Sequence, residues 1–360
     1  MLMIKIGVEQ LNNHKGRNAM FVLDDIVLNR DNINLVNVKR KEYFDKQGYE
    51  YNTLDMYKSP KEVDYIIYSG YDKKRWLKAF FGGYSNKVIY YMNEPSAVLP
   101  MYSTKGIKII KNAYRYIMNW SDKVVDNDRI VKTSFGFIFA KLKNDVPTSD
   151  KNLLTMIAGC KTSKHPNELY SERVKIINYF ESKHSKDFEL YGTGWENAGL
   201  ECYKGSCDSK HSVYEKFKFA VSLENQIGDT GDFSEKIFDC FNSGIVPIYL
   251  MAEQNKKYIP ADTYIDYAQF KSVEDMESFL KDMTDEEYNG YLEAAQRYVN
   301  SPLKEIIEPE FYCKQVIKII ERDKENPYKL ALYKKIYFSI FAAVTTVLSK
   351  LHINWEKSLY

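Results

Sequence analysis

Short apolar runs alternate with amphipathic segments along the first 140 residues of the chain. The runs that we predict as strands are IKIGV, NINLVNV, DYIIYSG, KVIYYMNEP and GIKIIKN. Strands separated by helical segments form a parallel sheet covered by helices, because each helix carries the chain back to the start of the next strand. The pattern therefore predicts an α/β domain over residues 1–145.

A second series of the same kind follows. Residues 153–160 (LLTMIAGC) predict a strand, residues 167–182 place apolar side chains at helical spacing, and FELYGTGW predicts a strand that ends in a glycine turn. The stretch FAVSLENQIGDTGDFSEKIFDCFNSGIVPIYL then predicts a strand, a loop, a helix, a glycine stop and another strand. Two further helices are predicted in VEDMESFLKDM and TDEEYNGYLEAAQRYV. We assign residues 151–323 to this second domain.

The segment between the two series is the predicted linker. Residues 143–152 (KNDVPTSDKN) are polar, contain a proline and show no periodicity. Two Rossmann-like domains joined in this way are expected to face each other across a cleft, where the carboxyl ends of the strands bind ligands. Two such domains of similar size resemble the architecture called glycosyltransferase B (GT-B).

The C-terminal tail, residues 324–360, has a different pattern. Fourteen residues without a charge, IYFSIFAAVTTVLS, are flanked by Lys329, Lys334 and Lys357, with Tyr337 and Trp355 near the two ends. A helix that crosses a bilayer needs about 20 apolar residues, so this segment is too short to cross. The pattern favours a helix that lies on a membrane surface, and the alternative is a helix packed against the protein.

Composition and charge exclude several classes of protein. Apolar residues make up 44% and charged residues 28% of the chain, which is typical of a folded globular protein. A net charge of +2 argues against a nucleic-acid partner. Five cysteines without a repeating spacing indicate reduced thiols and no zinc site. The first residues, MLMIKIGV, predict a strand and not a signal peptide, so we expect a cytoplasmic protein.

The helix start in the stretch GDFSEKIFDC carries the candidate chemistry. Ser234 or Asp232 is expected to cap the helix. The free backbone amide groups in the first turn of the helix then form an anion site. Lys236 in the first turn opposes the helix dipole, which disfavours a cation there by about 0.3 to 1 kcal/mol, so a bound diphosphate would explain its place. Asn225 and Glu235 suit hydroxyl groups of ribose or sugar. An ordinary capped helix with solvated charges is the alternative.

The segment KFKFAVSLEN … GDFSEKIFDCFNSGIVPIYL … YIPADTYIDYAQF resembles the donor-binding core of the α-1,3/1,4-fucosyltransferases, glycosyltransferase family 10. The family has a strand ending in Glu-Asn, a Tyr-(Val/Ile)-Thr-Glu-Lys helix start, an Ala/Ser-Gly-x-x-Pro strand and an Ile-Pro … Phe-Ile-Asp segment. The segments YYMNEPSAV, IMNWSDKVV, SERVKIINYF and LYGTGW extend the resemblance over roughly residues 60–320.

The resemblance implies an inverting transfer of fucose from GDP-fucose to a hydroxyl of an oligosaccharide, as in an α-1,3-fucosyltransferase, in surface polysaccharide synthesis or protein glycosylation. It implies that Glu94 is the catalytic base, that Arg173 and Lys236 bind the diphosphate, and that Asn225 and Glu235 contact the nucleotide or the fucose. Ser234 and Asp232 are assigned to the same donor site and stand where the family has Thr and Tyr. Phe233 stands where the family has Val or Ile.

Two alternatives remain open at this point. Asp232 in place of the family tyrosine favours a GT-B transferase of another GDP- or UDP-sugar, and a non-catalytic sugar- or nucleotide-binding module is the second. No Asp-x-Asp follows a strand in the manner of a Mg²⁺ site, and Asp24 and Asp25 are expected in a loop or helix start. We therefore predict no metal site and no required cofactor, with stimulation by a divalent cation left open.

The partners implied are a GDP-sugar donor and an oligosaccharide or lipid-linked glycan acceptor bound by the first domain. We also expect the tail to make a peripheral contact with the inner face of the cytoplasmic membrane.

Overall fold

The structure is a computed structural model of the 360-residue chain, and it describes residues 3–10, 16–24, 29, 32–92, 94–140, 146–228 and 230–359. The chain divides into two compact units. The first unit comprises residues 1–136 and 306–360, and the second comprises residues 137–305.

Among the described residues of the first unit, one sheet holds six parallel strands in the order β2-β1-β3-β4-β5-β6. The strands are β1 (Ile4–Val8), β2 (Tyr49–Thr53), β3 (Tyr65–Ser69), β4 (Val88–Tyr91), β5 (Tyr116–Asn119) and β6 (Ile130–Lys132). The helices between them are α1 (Ile33–Lys46), α2 (Lys73–Phe81) and α3 (Thr104–Ile110).

The described part of the second unit contains a sheet of five parallel strands in the order β11-β10-β9-β7-β8. The strands are β7 (Asn152–Ile157), β8 (Phe188–Tyr191), β9 (Phe217–Val221), β10 (Val246–Tyr249) and β11 (Ile265–Asp266). The helices are α4 (Tyr170–Ser182), α5 (Lys210–Tyr214), α6 (Glu235–Ser243), α7 (Val273–Asp282) and α8 (Asp285–Val299). The predicted α/β class and the predicted helices and strands of this half are confirmed.

Two C-terminal helices belong to the first unit, α9 (Pro309–Glu325) and α10 (Leu332–Lys350). Strands buried on both faces need helices on both faces. α9 packs on one face of the first sheet, where Tyr312, Val316 and Ile320 join Ile67 and Ile89 in the core. α10 packs on the other face, where the ring of Phe338 meets Trp76 edge-on at 4.7 Å between centroids.

The observed units differ from the domain boundaries expected from the sequence because α9 belongs to the first unit. Those boundaries were 1–145, 151–323 and 324–360, whereas the second unit ends at residue 305 and α9 returns to the first. The apolar stripe of α9 covers a sheet face that is formed by the first 136 residues, and no local pattern in the α9 sequence indicates which sheet it covers.

Two runs predicted as strands are helical, and these predictions were wrong. NINLVNV lies in the first half of α1, where the buried side chains are polar: Asn34, Asn37 and Arg40. Their spacing is helical, but a hydropathy pattern does not detect it. GIKIIKN lies in α3, where the Ser103 hydroxyl accepts a hydrogen bond from the Gly106 amide at 3.1 Å and caps the helix.

The tail segment lies in α10 and has two different faces. Phe338, Ala342 and Thr345 are buried, so one face packs against the first unit. On the opposite face Ile340 is 59% exposed and Val344 is 50% exposed. Within the described residues, no helix is both long enough and apolar enough to cross a membrane.

Candidate functional site

The order of strands in the second sheet reverses between β7 and β9. The chain runs from β7 to β8 on one side and from β9 through β10 to β11 on the other. Loops that leave two adjacent parallel strands in opposite directions open a crevice at the carboxyl ends, and this is where ligands of such sheets bind. Glu224 and Asn225 follow β9 at this point. They are therefore candidates for contact with a ligand.

Helix α6 begins close to these residues. The Ser234 hydroxyl caps the helix by accepting a hydrogen bond from the Lys236 amide, and Gly244 ends it with φ of 64°. Asp232 is not the cap. Its carboxylate accepts a hydrogen bond from Gln226 Nε2 at 2.9 Å and lies against Gly228, where a Cβ atom would meet Asp232 Oδ2 at 1.8 Å. Position 228 therefore requires glycine.

The carboxylate of Glu224 is the centre of the hydrogen-bond network at this crevice. Its Oε1 accepts from the Ser234 amide at 2.8 Å and from the Tyr249 hydroxyl at 2.7 Å. Its Oε2 accepts from Lys236 Nζ at 3.0 Å. The Glu224 side chain is only 10% exposed, and a buried carboxylate is tolerated when its lone pairs are satisfied in this way.

Lys236 is held by this carboxylate. Burial alone lowers the pKa of a lysine, but Glu224 and Glu235 outweigh that effect and raise the pKa of Lys236 above its ordinary value. The ammonium donates to Glu224 and, at 2.9 Å, to the Ser234 hydroxyl. An ammonium has three N–H donors, and within the described part of the chain the third has no partner. Glu224 therefore accounts for a lysine at this position without a bound diphosphate. One N–H of the Lys236 ammonium remains available to a ligand.

Arg173 is a buried cation without a carboxylate partner among the described residues. The residue is 6% exposed, and its Nη2 donates to the Leu223 carbonyl oxygen at 2.6 Å and to Asn225 Oδ1 at 3.1 Å. Burial lowers the pKa of Arg173, while the more distant Glu224 acts in the opposite direction. Its Nε and Nη1 have no protein acceptor in the described structure, although a guanidinium has five donors. This arrangement suits an anion.

Asn225 and Glu235 present the complementary polar groups. The bond from Arg173 occupies Asn225 Oδ1, which leaves its amide NH₂ to donate. The Glu235 side chain is 43% exposed and lies 3.6 Å from Lys210 Nζ. Partial burial raises the pKa of Glu235, but Lys236 and Lys210 outweigh it and bring that pKa to about 2. Glu235 is thus an acceptor across the whole physiological range.

Glu94 lies in the first unit, just beyond the carboxyl end of β4. Its backbone oxygen accepts from Trp120 Nε1 at 3.4 Å. Burial raises the pKa of the Tyr102 hydroxyl, and the nearby carboxylate of Glu94 raises that pKa further. The side chain is partly exposed. The structure thus places Glu94 at the carboxyl edge of the first sheet.

The sequence prediction missed three members of the site in the second unit. Glu224, Tyr249 and Gln226 received no role, although Glu224 belongs to the quoted Glu-Asn strand end that could have identified it. Asp229, Asn93 and Asp25, which were quoted in candidate segments, lie outside the described residues. Within the described ranges no group of three or more His, Cys, Asp and Glu side chains is arranged to hold a metal ion.

Comparisons with known proteins identify relatives of this chain. The sequence model of the family described as "Glycosyltransferase family 10 (fucosyltransferase) C-term" matches residues 146–337. A curated α-(1,4)-fucosyltransferase of Arabidopsis thaliana is 29% identical over 172 residues, which are 44% of this chain and 41% of the relative. The chain thus spans about two fifths of the length of that relative.

Solved structures with a similar fold include a crystal structure of an α1,3-fucosyltransferase with GDP. Its TM-score is 0.56 at 16% identity, over 91% of this chain and 92% of that one. Anabaena HepE in complex with UDP-glucose has a TM-score of 0.52 at 9% identity, over 88% of this chain and 99% of that one.

Two parallel sheets covered by helices and the similarity to these solved structures show the GT-B fold class, which confirms that prediction. The match over residues 146–337, more than half of the chain, identifies the family. The chain belongs to glycosyltransferase family 10, and the resemblance noted in the sequence is confirmed.

Glu235 should make stability depend on pH. Because its pKa is about 2 in the folded protein and about 4.3 in an unfolded chain, its contribution is complete above pH 5 and is lost as the pH falls towards 2. Glu235→Gln resembles the protonated residue. We expect its melting temperature to lie below that of the wild type at pH 6 and to approach it at pH 3. A difference that stays constant over this range contradicts the assignment.

Proposed function

We propose that the chain is an inverting fucosyltransferase that moves fucose from GDP-fucose to a hydroxyl of an oligosaccharide acceptor. The observation that carries this proposal is the buried guanidinium of Arg173, whose Nε and Nη1 have no protein acceptor in the described structure and whose Nη2 bonds only neutral oxygens. Glu224 and Glu168 act electrostatically on this charge, but no carboxylate among the described residues forms an ion pair with it, and a bound diphosphate would supply that partner. Membership of family 10 supports fucose as the sugar.

The donor site assigns a role to each polar group of the crevice. Arg173, the third N–H of Lys236 and the free amides of α6 bind the diphosphate and stabilise the charge that grows on it as GDP leaves. The Asn225 amide donates to a hydroxyl of the ribose or the fucose, and the ionised Glu235 accepts from one. Ser234 holds Glu224 and Lys236 in place. Asp232 borders the site beside Gly228.

Inversion needs one base on the side of the acceptor. The hydroxyl attacks the anomeric carbon from the face opposite GDP, so a β-linked donor gives an α-linked product. In this proposal Glu94 takes the hydroxyl proton, because it stands at the carboxyl edge of the first sheet, where ligands of such sheets bind, and is partly exposed. A positioned base contributes about 10² to 10⁴-fold to the rate. The mechanism assigns no step to a metal ion, and stimulation by a divalent cation is left to experiment.

A transferase of another GDP- or UDP-sugar is the second candidate. Asp232 favours it, since an aspartate in place of the family tyrosine changes the surface beside the sugar. A binding module without catalysis is disfavoured by Glu94, because such a module needs no base. We propose a cytoplasmic reaction in polysaccharide synthesis or protein glycosylation, with an oligosaccharide or lipid-linked acceptor and without a nucleic-acid partner.

The donor proposal predicts that GDP stabilises the protein and that UDP stabilises it much less. Lys236→Met should weaken GDP binding about 10- to 150-fold, since a charge-assisted hydrogen bond contributes roughly 1.5 to 3 kcal/mol. Isothermal titration calorimetry measures both effects. Lys218→Met, which removes a lysine at the opposite edge of the same sheet, is the control and should bind GDP as the wild type does. Equal affinity for GDP and UDP contradicts the donor assignment.

Glu94→Gln keeps the shape of the side chain and removes its basicity. Transfer should therefore fall about 10²-fold or more while the affinity for GDP stays the same. Transfer to a soluble oligosaccharide and calorimetry with GDP measure the two quantities on the same preparation. Turnover within a few-fold of the wild type rejects Glu94 as the base, and retention of the anomeric configuration in the product rejects inversion.

We also propose that the exposed face of α10 lies on an anionic membrane surface. This outer face consists of side chains spaced three and four residues apart, each at least half exposed: Tyr333, Tyr337, Ile340, Val344 and Val347. Lys329, Lys350 and Lys357 are exposed near its ends. An apolar helix face with lysines at its borders suits the headgroup region, and each lysine near anionic lipid adds about 1 kcal/mol.

Vesicles that contain phosphatidylserine test this contact by sedimentation at low salt. The full chain should sediment with them, and the double variant Ile340→Ser/Val344→Ser should not, because it removes the centre of the outer face. Ile33→Ser/Phe81→Ser is the control, since it removes two exposed apolar side chains elsewhere in the first unit. If the wild type ignores the vesicles, or if both double variants behave alike, the membrane contact is rejected.

A further inference from the structure

A cavity of about 350 Å³ opens at the amino edge of the second sheet, inside the second unit. It is bordered by the starts of β7, β8 and β9, the end of α7 and the start of α8. The groups assigned to the donor lie at the opposite, carboxyl edge of this sheet, and none of those described residues lines the cavity. The cavity is therefore separate from the donor crevice, and its size is within the range of small-molecule sites.

The lining of this cavity carries an excess of positive charge. Four of its residues are lysines, and the one carboxylate in its described lining is that of Asp187. Because β9, β7 and β8 are neighbours in the sheet, lysines that precede or open these strands meet at one edge. The four are Lys151, Lys186, Lys218 and Lys281.

Partners within the protein account for two of these lysines. Lys281 Nζ lies 2.7 Å from the Asp187 carboxylate and 2.8 Å from that of Glu277. It also stands in the last turn of α7, where the helix dipole favours a cation. Lys218 Nζ lies 3.9 Å from the carboxylate of Asp285.

The other two lysines, Lys151 and Lys186, form no ion pair with a described residue. Lys186 is exposed, whereas Lys151 is partly buried. That burial lowers the pKa of the Lys151 ammonium, although the charge of Glu215 opposes the change. A cation that has left water without a close counter-ion is stabilised when an anion binds beside it.

Tyr288 adds an unsatisfied polar group to the wall of the cavity. The residue is only 2% exposed, and its hydroxyl has no hydrogen-bond partner among the described residues. Burial raises the pKa of this hydroxyl to about 12, so it keeps its proton in the physiological range. A buried hydroxyl without a partner is unfavourable, and a ligand oxygen in the cavity would supply the missing acceptor.

Apolar side chains complete the wall and limit what the cavity can hold. They are Leu153, Phe219, Leu280 and Met283. A free inorganic ion has no use for such a surface, whereas the carbon part of a larger ligand would be covered by it. Ammonium groups on one side and apolar groups on the other suit a molecule that carries both a phosphate and a carbon skeleton.

We propose that this cavity is a second ligand site of the chain, separate from the donor crevice, and that it takes a small phosphorylated molecule. Lys151 and Lys186 bind the phosphate oxygens, and the Tyr288 hydroxyl donates a hydrogen bond to the same ligand. The inference goes beyond the proposed function and does not depend on it, because it uses no residue of the donor crevice.

Calorimetry with inorganic pyrophosphate tests the site on the full chain. Pyrophosphate can also bind at the donor crevice, so the wild type is compared with variants in which that crevice is unchanged. The double variant Lys151→Met/Lys186→Met should lose at least tenfold in affinity at one site. Tyr288→Phe should weaken the same site several-fold without lowering the melting temperature, because the hydroxyl has no protein partner to lose.

The matched control is Lys175→Met/Lys204→Met, which removes two exposed lysines of the same unit outside the cavity. It changes the net charge by the same amount and should bind pyrophosphate at the cavity as the wild type does. An equal loss of affinity in the two double variants means that only the overall charge matters, and it rejects the site. No loss in Lys151→Met/Lys186→Met rejects it as well.

Vesicles that contain phosphatidic acid distinguish a soluble ligand from a lipid headgroup. The experiment uses Ile340→Ser/Val344→Ser, which lacks the centre of the outer face of α10. For a soluble ligand this protein should stay in the supernatant, with or without Lys151 and Lys186. If it sediments only while both lysines are present, the phosphate belongs to a lipid and the soluble ligand is rejected. Failure of GDP to bind contradicts the donor assignment alone and changes none of these outcomes.

Discussion

The arrangement of the second unit's site depends on one buried carboxylate. Glu224 follows β9, and its two oxygens accept from Ser234 and Lys236 at the start of α6 and from Tyr249 at the end of β10. A carboxylate in such a place is tolerated only while its partners stay in position, because an unpaired buried charge is disfavoured by several kcal/mol. The same bonds therefore fix where α6 begins, and with it the positions of Glu235 and Lys236.

Much of the second unit could be predicted from sequence, because its elements carry local signals. The cap at Ser234, the buried face with Ile237 and Phe238, and the stop at Gly244 all lie within a few residues of one another. The first unit was harder. Most buried residues of α1 are polar, Asn34, Asn37 and Arg40 beside Phe44. Arg40 donates from Nη2 to the carbonyl oxygen of Phe135, which lies far along the chain. A hydropathy pattern does not indicate that a buried arginine has a backbone oxygen as its partner.

The residue types of the site were predictable, but their pairings were not. Lys236 was expected to meet a bound anion, and its ammonium also pairs with the carboxylate of Glu224. Asp232 was expected near the helix cap and lies against Gly228. Arg173 was expected at the diphosphate, and its bond to the Leu223 carbonyl oxygen explains how a helix residue reaches the end of β9. Each pairing joins segments that are adjacent only after folding.

The return of α9 and α10 to the first unit has a consequence for biosynthesis. Residues 137–305 emerge from the ribosome as one continuous piece, so the second unit can complete its core while the chain is still growing. The first unit begins earlier but finishes later, because Tyr312, Val316 and Ile320 must arrive before one face of its sheet is covered. Until then the face of that nascent sheet that carries Ile67 and Ile89 lacks its α9 cover and stays open to contact with other apolar surfaces.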